Sequence, residues 1–174
     1  MFTAQGHDVT TCDLLPAEGS SRHYQGNVLD IIDDGWDMMI AHPPCTYLSL
    51  SGVRWLYERP RRWEQMILGA VFFRTLWEAK VPRIAIENPL PHRYAIEIIG
   101  TKYDQIIQPW QFGHGETKAT CFWLKNLPKL RPTNIVAGRE HRVHREPPSS
   151  SRWKNRSRIF VGISEAMANQ WGKE

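Results

Sequence analysis

Apolar residues along the 174-residue chain form short runs that alternate with one longer stretch of helical spacing. Short apolar runs bounded by Pro, Gly or a charged residue predict strands. The predicted strands are Val9–Asp13, a run within "WDMMIAHPP", and "RIAIENP". Apolar positions over Pro60–Lys80 recur at the spacing of one helix face, so we expect an amphipathic helix there, which Pro82 ends.

The second half of the chain continues this alternation. Two further strands are predicted in "YDQIIQPWQFG" and "ATCFWLKNL", joined as a hairpin through "GHGETK", and "GISEAMANQWG" predicts a closing helix. Strands that alternate with helices indicate an α/β domain. We therefore expect one domain over residues 1–174, with a mostly parallel sheet and an antiparallel hairpin at one edge.

Three polar residues follow the predicted strands. Asp13, Cys45 and Glu87 each come after an apolar run, at the end of the sheet where α/β proteins bind ligands. Each also has an ordinary structural interpretation: an Asx turn for Asp13, a small buried side chain for Cys45, and a bond to loop backbone for Glu87. Their repetition at one end of the sheet favours a shared site.

Composition narrows the class of protein. Hydrophobic residues make up 41% and charged residues 23%, which is typical of a globular domain, and no apolar run is as long as a membrane helix. The start "MFTAQGHDVT" lacks the pattern of a signal peptide. Three distant cysteines without a CxxC pair argue against a disulfide framework or a metal site. We expect a cytoplasmic protein with no bound metal and no membrane partner.

Positive charge is concentrated near the C-terminus. The formal net charge is +4, and residues 139–158 hold six arginines and one lysine against two glutamates. Such a segment either faces nucleic-acid phosphates or forms a solvated surface loop. The candidate phosphate-binding residues are Arg142, Arg145, Arg152, Lys154, Arg156 and Arg158.

Two short motifs at a fixed spacing resemble a known family. "PPCTYLSLSG" resembles the catalytic loop of the DNA cytosine-C5 methyltransferases, and "ENP" at Glu87–Pro89 is similar to that family's Glu-Asn-Val motif, with one helix between them. "FGHGETKATCFWL" resembles a diverged form of a later family motif that carries Gln and two Arg before a strand. Within the family the chain is most similar to short phage-type and prophage-type homologues, over most of residues 1–130.

The resemblance implies a Rossmann-like fold, S-adenosylmethionine as cofactor, and methyl transfer to cytosine C5 in DNA. Cys45 would add to C6 of the base, and Glu87 would assist at N3. Pro44 and Asn88 belong to the same two motifs. Lys118 stands near the place of a family arginine, where it would bond the base O2 or a phosphate.

The resemblance also implies a cofactor site. Asp13 would bind the ribose hydroxyls, Asn27 and Val28 the adenine, and Pro43 would lie beside the cofactor. The family opens with a strand and a Gly-rich loop, and Met1 falls inside the helix that follows them, so we expect an N-terminally truncated sheet. A sheet strand left exposed in this way would invite self-association.

The region that reads DNA is expected to be small. Residues 128–157 form a short basic loop region in place of a target-recognition domain. Duplex DNA would require the target base to be flipped out, whereas single-stranded DNA or a nucleotide would not. The sequence leaves these three substrates open.

Two other functions compete with a cytosine-C5 methyltransferase. A catalytically inactive protein with this fold would bind nucleic acid or a host protein, and the expected truncation favours it. Retention of Cys45 and Glu87 favours the enzyme instead. An exocyclic-amine methyltransferase also has paired prolines in its loop, but an aromatic residue usually follows them, where this chain has Cys45.

Overall fold

The computed structural model describes residues 1–17, 19, 22–150 and 152–173, with Trp153 as backbone only. The strands are β1 (Thr10–Asp13), β2 (Arg22–Gln25), β3 (Met38–Ala41), β4 (Arg83–Pro89), β5 (Gln105–Ile107) and β6 (Thr120–Lys125). The α-helices are α1 (Trp55–Glu58), α2 (Arg62–Glu78), α3 (Arg93–Ile99), α4 (Arg142–Arg145), α5 (Arg152–Ser157) and α6 (Val161–Trp171). Short 3-10 turns lie at Thr3–Gln5, Val28–Asp30, Leu50–Gly52 and Pro109–Gln111.

The described strands form two sheets. A four-stranded sheet has the order β3-β4-β6-β5, and β1 pairs with β2 in a separate two-stranded sheet. The pairs β1-β2 and β3-β4 are parallel, and β6 runs antiparallel to both β4 and β5. The fold is therefore mixed α/β, and the expectation of one mostly parallel sheet is wrong.

The chain geometry after β5 explains this difference. No helical crossover connects β5 to β6, so β6 returns antiparallel. It then lies between β5 and the central strand β4, which makes every contact on that side of β4 antiparallel. The predicted hairpin at one sheet edge is confirmed.

Strand β4 is the centre of the molecule, and its side chains alternate between two apolar layers. Ile84 and Ile86 pack in a core with residues of α2 and α3, and Ala85 packs in a second core with residues of α6. All three are completely buried. A strand covered on both faces needs a continuous apolar run, and "IAI" supplies it.

The helix predicted over Pro60–Lys80 spans Arg62–Glu78, and the predicted closing helix spans Val161–Trp171. Arg61, just before α2, has a φ of 58°, a left-handed conformation that non-glycine residues rarely adopt. Among the described helices, none combines the length and apolarity needed to span a bilayer.

Candidate functional site

Cys45 sits at the start of a tight turn that follows β3. Pro43 and Pro44 lack an N–H group, so the strand cannot extend its hydrogen-bond ladder through them. The Cys45 carbonyl then accepts hydrogen bonds from the Leu48 and Ser49 N–H groups, both at 3.1 Å, and from the Ser49 hydroxyl at 2.9 Å. These three bonds fix the backbone of Cys45 at the carboxyl end of β3.

The loop that carries Cys45 is attached to the connection between β4 and α3. The Leu50 N–H donates to the Leu90 carbonyl at 2.8 Å, and the His92 N–H donates to the Leu48 carbonyl at 3.0 Å. Leu48 is completely buried in the core shared with α2. The two motif-bearing segments are therefore one structural unit.

His92 strengthens this unit with its side chain. Its Nδ1 accepts from the Ala95 N–H at 3.1 Å, so Nε2 carries the proton and donates to the Tyr47 carbonyl at 3.0 Å. The ring is almost completely buried, with both nitrogens bonded. His92 thus caps α3 and holds the Cys45 loop at the same time.

Arg62 holds the other side of the loop. Its Nη2 donates to the Thr46 carbonyl at 2.6 Å, and its guanidinium lies 4.3 Å from the centroid of the Tyr47 ring. Arg62 is buried. Its contacts therefore fix the two residues that follow Cys45.

Glu87 lies near the end of β4 and is directed towards the loop after β3. Its side chain is only 14% exposed, and its Oε2 accepts from Nδ1 of His42 at 3.2 Å. The His42 side chain is 46% exposed. A nearly buried carboxylate is thus joined to a histidine that reaches solvent.

The surroundings of Cys45 have opposing effects on the pKa of its thiol. Burial raises the pKa of the Cys45 thiol above its usual value, and the neighbouring Glu87 carboxylate raises it further. The Ser49 hydroxyl and the Lys118 ammonium lower the pKa of the thiol. The balance leaves the pKa of Cys45 raised.

Lys118, from the loop before β6, completes the group. Burial lowers the pKa of its ammonium, Glu87 and Cys45 raise that pKa, and Arg156 lowers it. Its Nζ donates to the Arg158 carbonyl at 3.1 Å. The structure therefore brings Cys45, Glu87 and Lys118 together from three separate segments.

A second cysteine lies close to this group. Cys121 is on β6 opposite Asn88, and burial followed by the Glu87 charge raises the pKa of its thiol to about 12. Cys121 is completely buried. It is therefore unsuited to act as a thiolate.

The remaining predicted catalytic residues differ in exposure. Asn88 is buried; its amide nitrogen donates to the Pro89 carbonyl, and its Oδ1 accepts no hydrogen bond from any described residue. Pro44 is exposed, whereas Pro43, predicted to lie beside a cofactor, is buried. Asn88 and the two prolines thus shape the backbone of the site.

The predicted ribose and adenine ligands lie at the ends of β1 and β2. Asp13 is exposed, and its Oδ1 accepts from the Leu15 N–H at 2.9 Å, which is the Asx turn that the sequence allowed. Asn27 Oδ1 accepts from the Leu29 N–H at 3.1 Å and caps the turn that starts at Val28. Among the described residues, none donates a hydrogen bond to Oδ2 of Asp13, and a carboxylate oxygen of this kind fits a ribose hydroxyl.

The basic segment is partly helical, since α4 and α5 fall within the region expected to be a loop. Of its predicted phosphate ligands, Arg142 bonds a residue outside the segment and Arg152 bonds a residue within it. Arg142 pairs with the buried Glu116, and Arg152 Nε donates to the Glu146 carbonyl at 2.8 Å. These two arginines hold the segment together.

Residues that could hold a metal do not cluster here. Across the described ranges 1–17, 19, 22–150 and 152–173, no three His, Cys, Asp or Glu side chains are grouped as metal ligands.

His42, Arg62 and His92 were not predicted from the sequence. No local sequence pattern marks these three residues, because the partners they hold in the site lie 16 to 45 residues away along the chain. The only available signal was the position of His42, directly before the Pro-Pro-Cys motif.

Comparison with known proteins finds a weak likeness to a solved structure. No protein-family model and no curated protein matches the chain. A solved E. coli structure named "putative DNA modification methyltransferase encoded within prophage" matches with 18% sequence identity and a TM-score of 0.41. The match covers 67% of this chain and 39% of the other, so the aligned part spans well under half of that protein.

Proposed function

We propose that this protein is an S-adenosylmethionine-dependent methyltransferase that acts on C5 of cytosine in DNA, with Cys45 as nucleophile. The observation that carries the proposal is the meeting of Cys45, Glu87 and Lys118 at the carboxyl ends of β3 and β4. The fold likeness to the prophage protein is too weak to contribute.

The chemistry requires a nucleophile because C5 of cytosine is itself unreactive. Addition of the Cys45 thiolate to C6 forms a C–S bond and gives C5 enamine character, so that C5 can attack an electrophilic methyl group. S-adenosylmethionine, bound at Asp13 and Asn27, would supply that methyl group. A water molecule then takes the C5 proton, the C–H electron pair restores the C5–C6 double bond, and the C–S pair returns to sulfur as the Cys45 thiolate, which releases the methylated base.

Glu87 links ring protonation to thiolate formation. As a carboxylate it raises the pKa of the Cys45 thiol; as a neutral acid that hydrogen-bonds the ring nitrogen N3, it no longer opposes the thiolate. A base whose N3 accepts a hydrogen bond from neutral Glu87 therefore removes the carboxylate charge that opposes the Cys45 thiolate. Lys118 adds a nearby positive charge that stabilises the thiolate.

The positions of the supporting residues suit this role. The Cys45 backbone is fixed by Ser49 and Leu48, and the whole loop is attached to the segment after Glu87 through His92. A nucleophile and an acid held on one rigid unit need little rearrangement to reach the reactive geometry.

The direct test is transfer of a labelled methyl group from S-adenosylmethionine to cytosine-containing single-stranded and duplex DNA. We expect transfer by the native chain, loss of transfer in Cys45→Ala, and normal transfer in the matched control Cys12→Ala. Full activity of a folded Cys45→Ala variant would exclude Cys45 as nucleophile.

One observation favours a second function. The raised pKa of the Cys45 thiol disfavours the thiolate that catalysis requires at neutral pH. A catalytically inactive protein that binds nucleic acid would show DNA binding by the native chain with no methyl transfer to any cytosine substrate.

A further inference from the structure

A small cavity lies between α4, α5 and the start of α6. Its volume is about 170 Å³, which is below the range of sites for drug-sized ligands and suits a single compact group. The charged residues that line it are Arg142, Arg156, Arg158, Glu116 and Glu146. The cavity therefore carries three positive and two negative side chains.

Both carboxylates in the cavity wall already have partners. Glu116 is buried and pairs with Arg142. Glu146 Oε1 accepts from the Asn155 amide at 2.7 Å. Within the part of the chain that the structure describes, neither Arg156 nor Arg158 pairs with a carboxylate.

A hydrogen bond links the wall of the cavity to the group formed by Cys45, Glu87 and Lys118. Lys118, which lies close to Cys45 and Glu87, donates its Nζ proton to the Arg158 carbonyl at 3.1 Å. The Arg156 charge is close enough to Lys118 to lower the pKa of that ammonium. Arg156 and Arg158 both line the cavity, and an anion bound there would be stabilised by both of their positive charges.

We infer that this cavity binds one backbone phosphate of a polynucleotide substrate, with Arg156 and Arg158 as its ligands. Arginine suits this role because its planar guanidinium bonds phosphate oxygens in pairs. Arg142 and Glu116 would shape the cavity wall rather than bind the phosphate.

An adjoining depression favours a polynucleotide over a single nucleotide. It has a volume of about 610 Å³, shares Arg142 and Glu146 with the first cavity, and adds Arg139, Arg145 and Glu140, so that its lining holds three arginines and two glutamates. A strand that leaves the first cavity would thus meet further positive charge on the other side of α4. The choice of a polynucleotide rests on the proposed function; the anion site itself does not.

The test is fluorescence anisotropy with a labelled single-stranded oligonucleotide, with no cofactor present, over a series of salt concentrations. For the Arg156→Gln/Arg158→Gln variant we expect affinity to fall about tenfold or more. The slope of log affinity against log salt should become shallower by about 0.7, the value for one phosphate contact on a single strand.

Arg61→Gln is the matched control because Arg61 is 78% exposed, pairs with Glu64 and lies outside the cavity lining. Arg61→Gln should leave the affinity and the salt slope unchanged. Arg156→Lys keeps the charge but not the paired hydrogen bonds, so it should lose less affinity than Arg156→Gln. Circular dichroism establishes that the variants are folded, and the single Arg158→Gln variant should show a smaller loss in the same direction.

An unchanged salt slope in the folded double variant would overturn the inference, as would the absence of oligonucleotide binding by the native chain. Arginine-dependent binding without methyl transfer would leave the phosphate site standing and remove the proposed function. Methyl transfer to the oligonucleotide that is unaffected in the Arg156→Gln/Arg158→Gln variant would support the proposed function and remove the phosphate site.

Discussion

At the scale of single residues, the electrostatic interaction between Glu87 and Cys45 can be tested without substrate. Because the Glu87 carboxylate raises the pKa of the Cys45 thiol, Glu87→Gln should lower that pKa. Alkylation of Cys45 by iodoacetamide, followed by peptide mass spectrometry across a pH series, should then show its midpoint at a lower pH.

The matched control is Glu64→Gln, an exposed carboxylate paired with Arg61 on the surface. It should leave the alkylation profile of Cys45 where it is. Cys121, buried with a thiol pKa of about 12, serves as an internal reference that stays unmodified. An unshifted Cys45 midpoint in Glu87→Gln would show that the two groups do not interact.

His42 is predicted to position Glu87 for the reaction. His42 Nδ1 donates a hydrogen bond to Oε2 of Glu87. In the proposed reaction the other carboxylate oxygen, Oε1, would then bond the base. General acids contribute roughly 10²–10⁴-fold to rates, so we expect His42→Ala to lower kcat about tenfold or more with little change in KM. Added imidazole should restore part of the loss; an equal rise in KM with no rescue would contradict the positioning role.

Two of the residues that define the site were predictable because a local pattern marks them. Cys45 follows paired prolines, and Glu87 ends a buried apolar run. His42, Arg62 and His92 were missed because each acts through a contact with a distant segment. Nothing in the sequence around His42, Arg62 or His92 indicated which distant segment each would contact.

At the scale of elements, β4 was predicted at its observed bounds, Arg83–Pro89, since Pro82 and Pro89 frame a fully buried run. The pairing of β6 with β4 was not predicted. Hairpin partners follow from a short connection, but the second neighbour of a strand is selected by packing across the whole sheet. The expectation of a mostly parallel sheet failed at this point.

The start of α6 offers a test of packing between elements. A Cβ at Gly162 would clash with the Phe112 carbonyl oxygen, so Gly162→Ala must displace α6 or the Pro109–Gln111 turn. We expect a loss of about 1–3 kcal/mol in the free energy of unfolding, measured by urea denaturation.

Gly69→Ala is the matched control within α2. A Cβ there would meet only Leu48 at 3.5 Å, an ordinary contact, and alanine is the better helix former. This variant should gain about 0.5–1 kcal/mol in stability. A neutral Gly162→Ala substitution would show that α6 is packed less closely than the structure indicates.

At the scale of the whole molecule, the separation into two sheets leaves strand edges without neighbours. Among the described strands, β3 pairs only with β4, and β1 pairs only with β2. Because unpaired edges present a row of hydrogen-bonding groups, self-association through a strand stays a prediction.

Sedimentation velocity over a range of protein concentrations tests it. We expect the weight-average sedimentation coefficient to rise with concentration, and the rise to be smaller in Met39→Pro, which removes an N–H group from β3. Circular dichroism must show that this variant is folded. A coefficient independent of concentration would assign the native chain to a single species.

The central claim, that the Cys45 thiolate adds to C6 of cytosine, is tested most directly by trapping the adduct. An oligonucleotide with 5-fluorocytosine leaves no C5 proton to abstract after methyl transfer, so the C–S bond cannot be cleaved. Incubation with S-adenosylmethionine should give a denaturation-resistant complex whose mass equals protein, oligonucleotide and one methyl group, mapped to Cys45. A folded native chain that binds both compounds and yields no such complex would contradict the account.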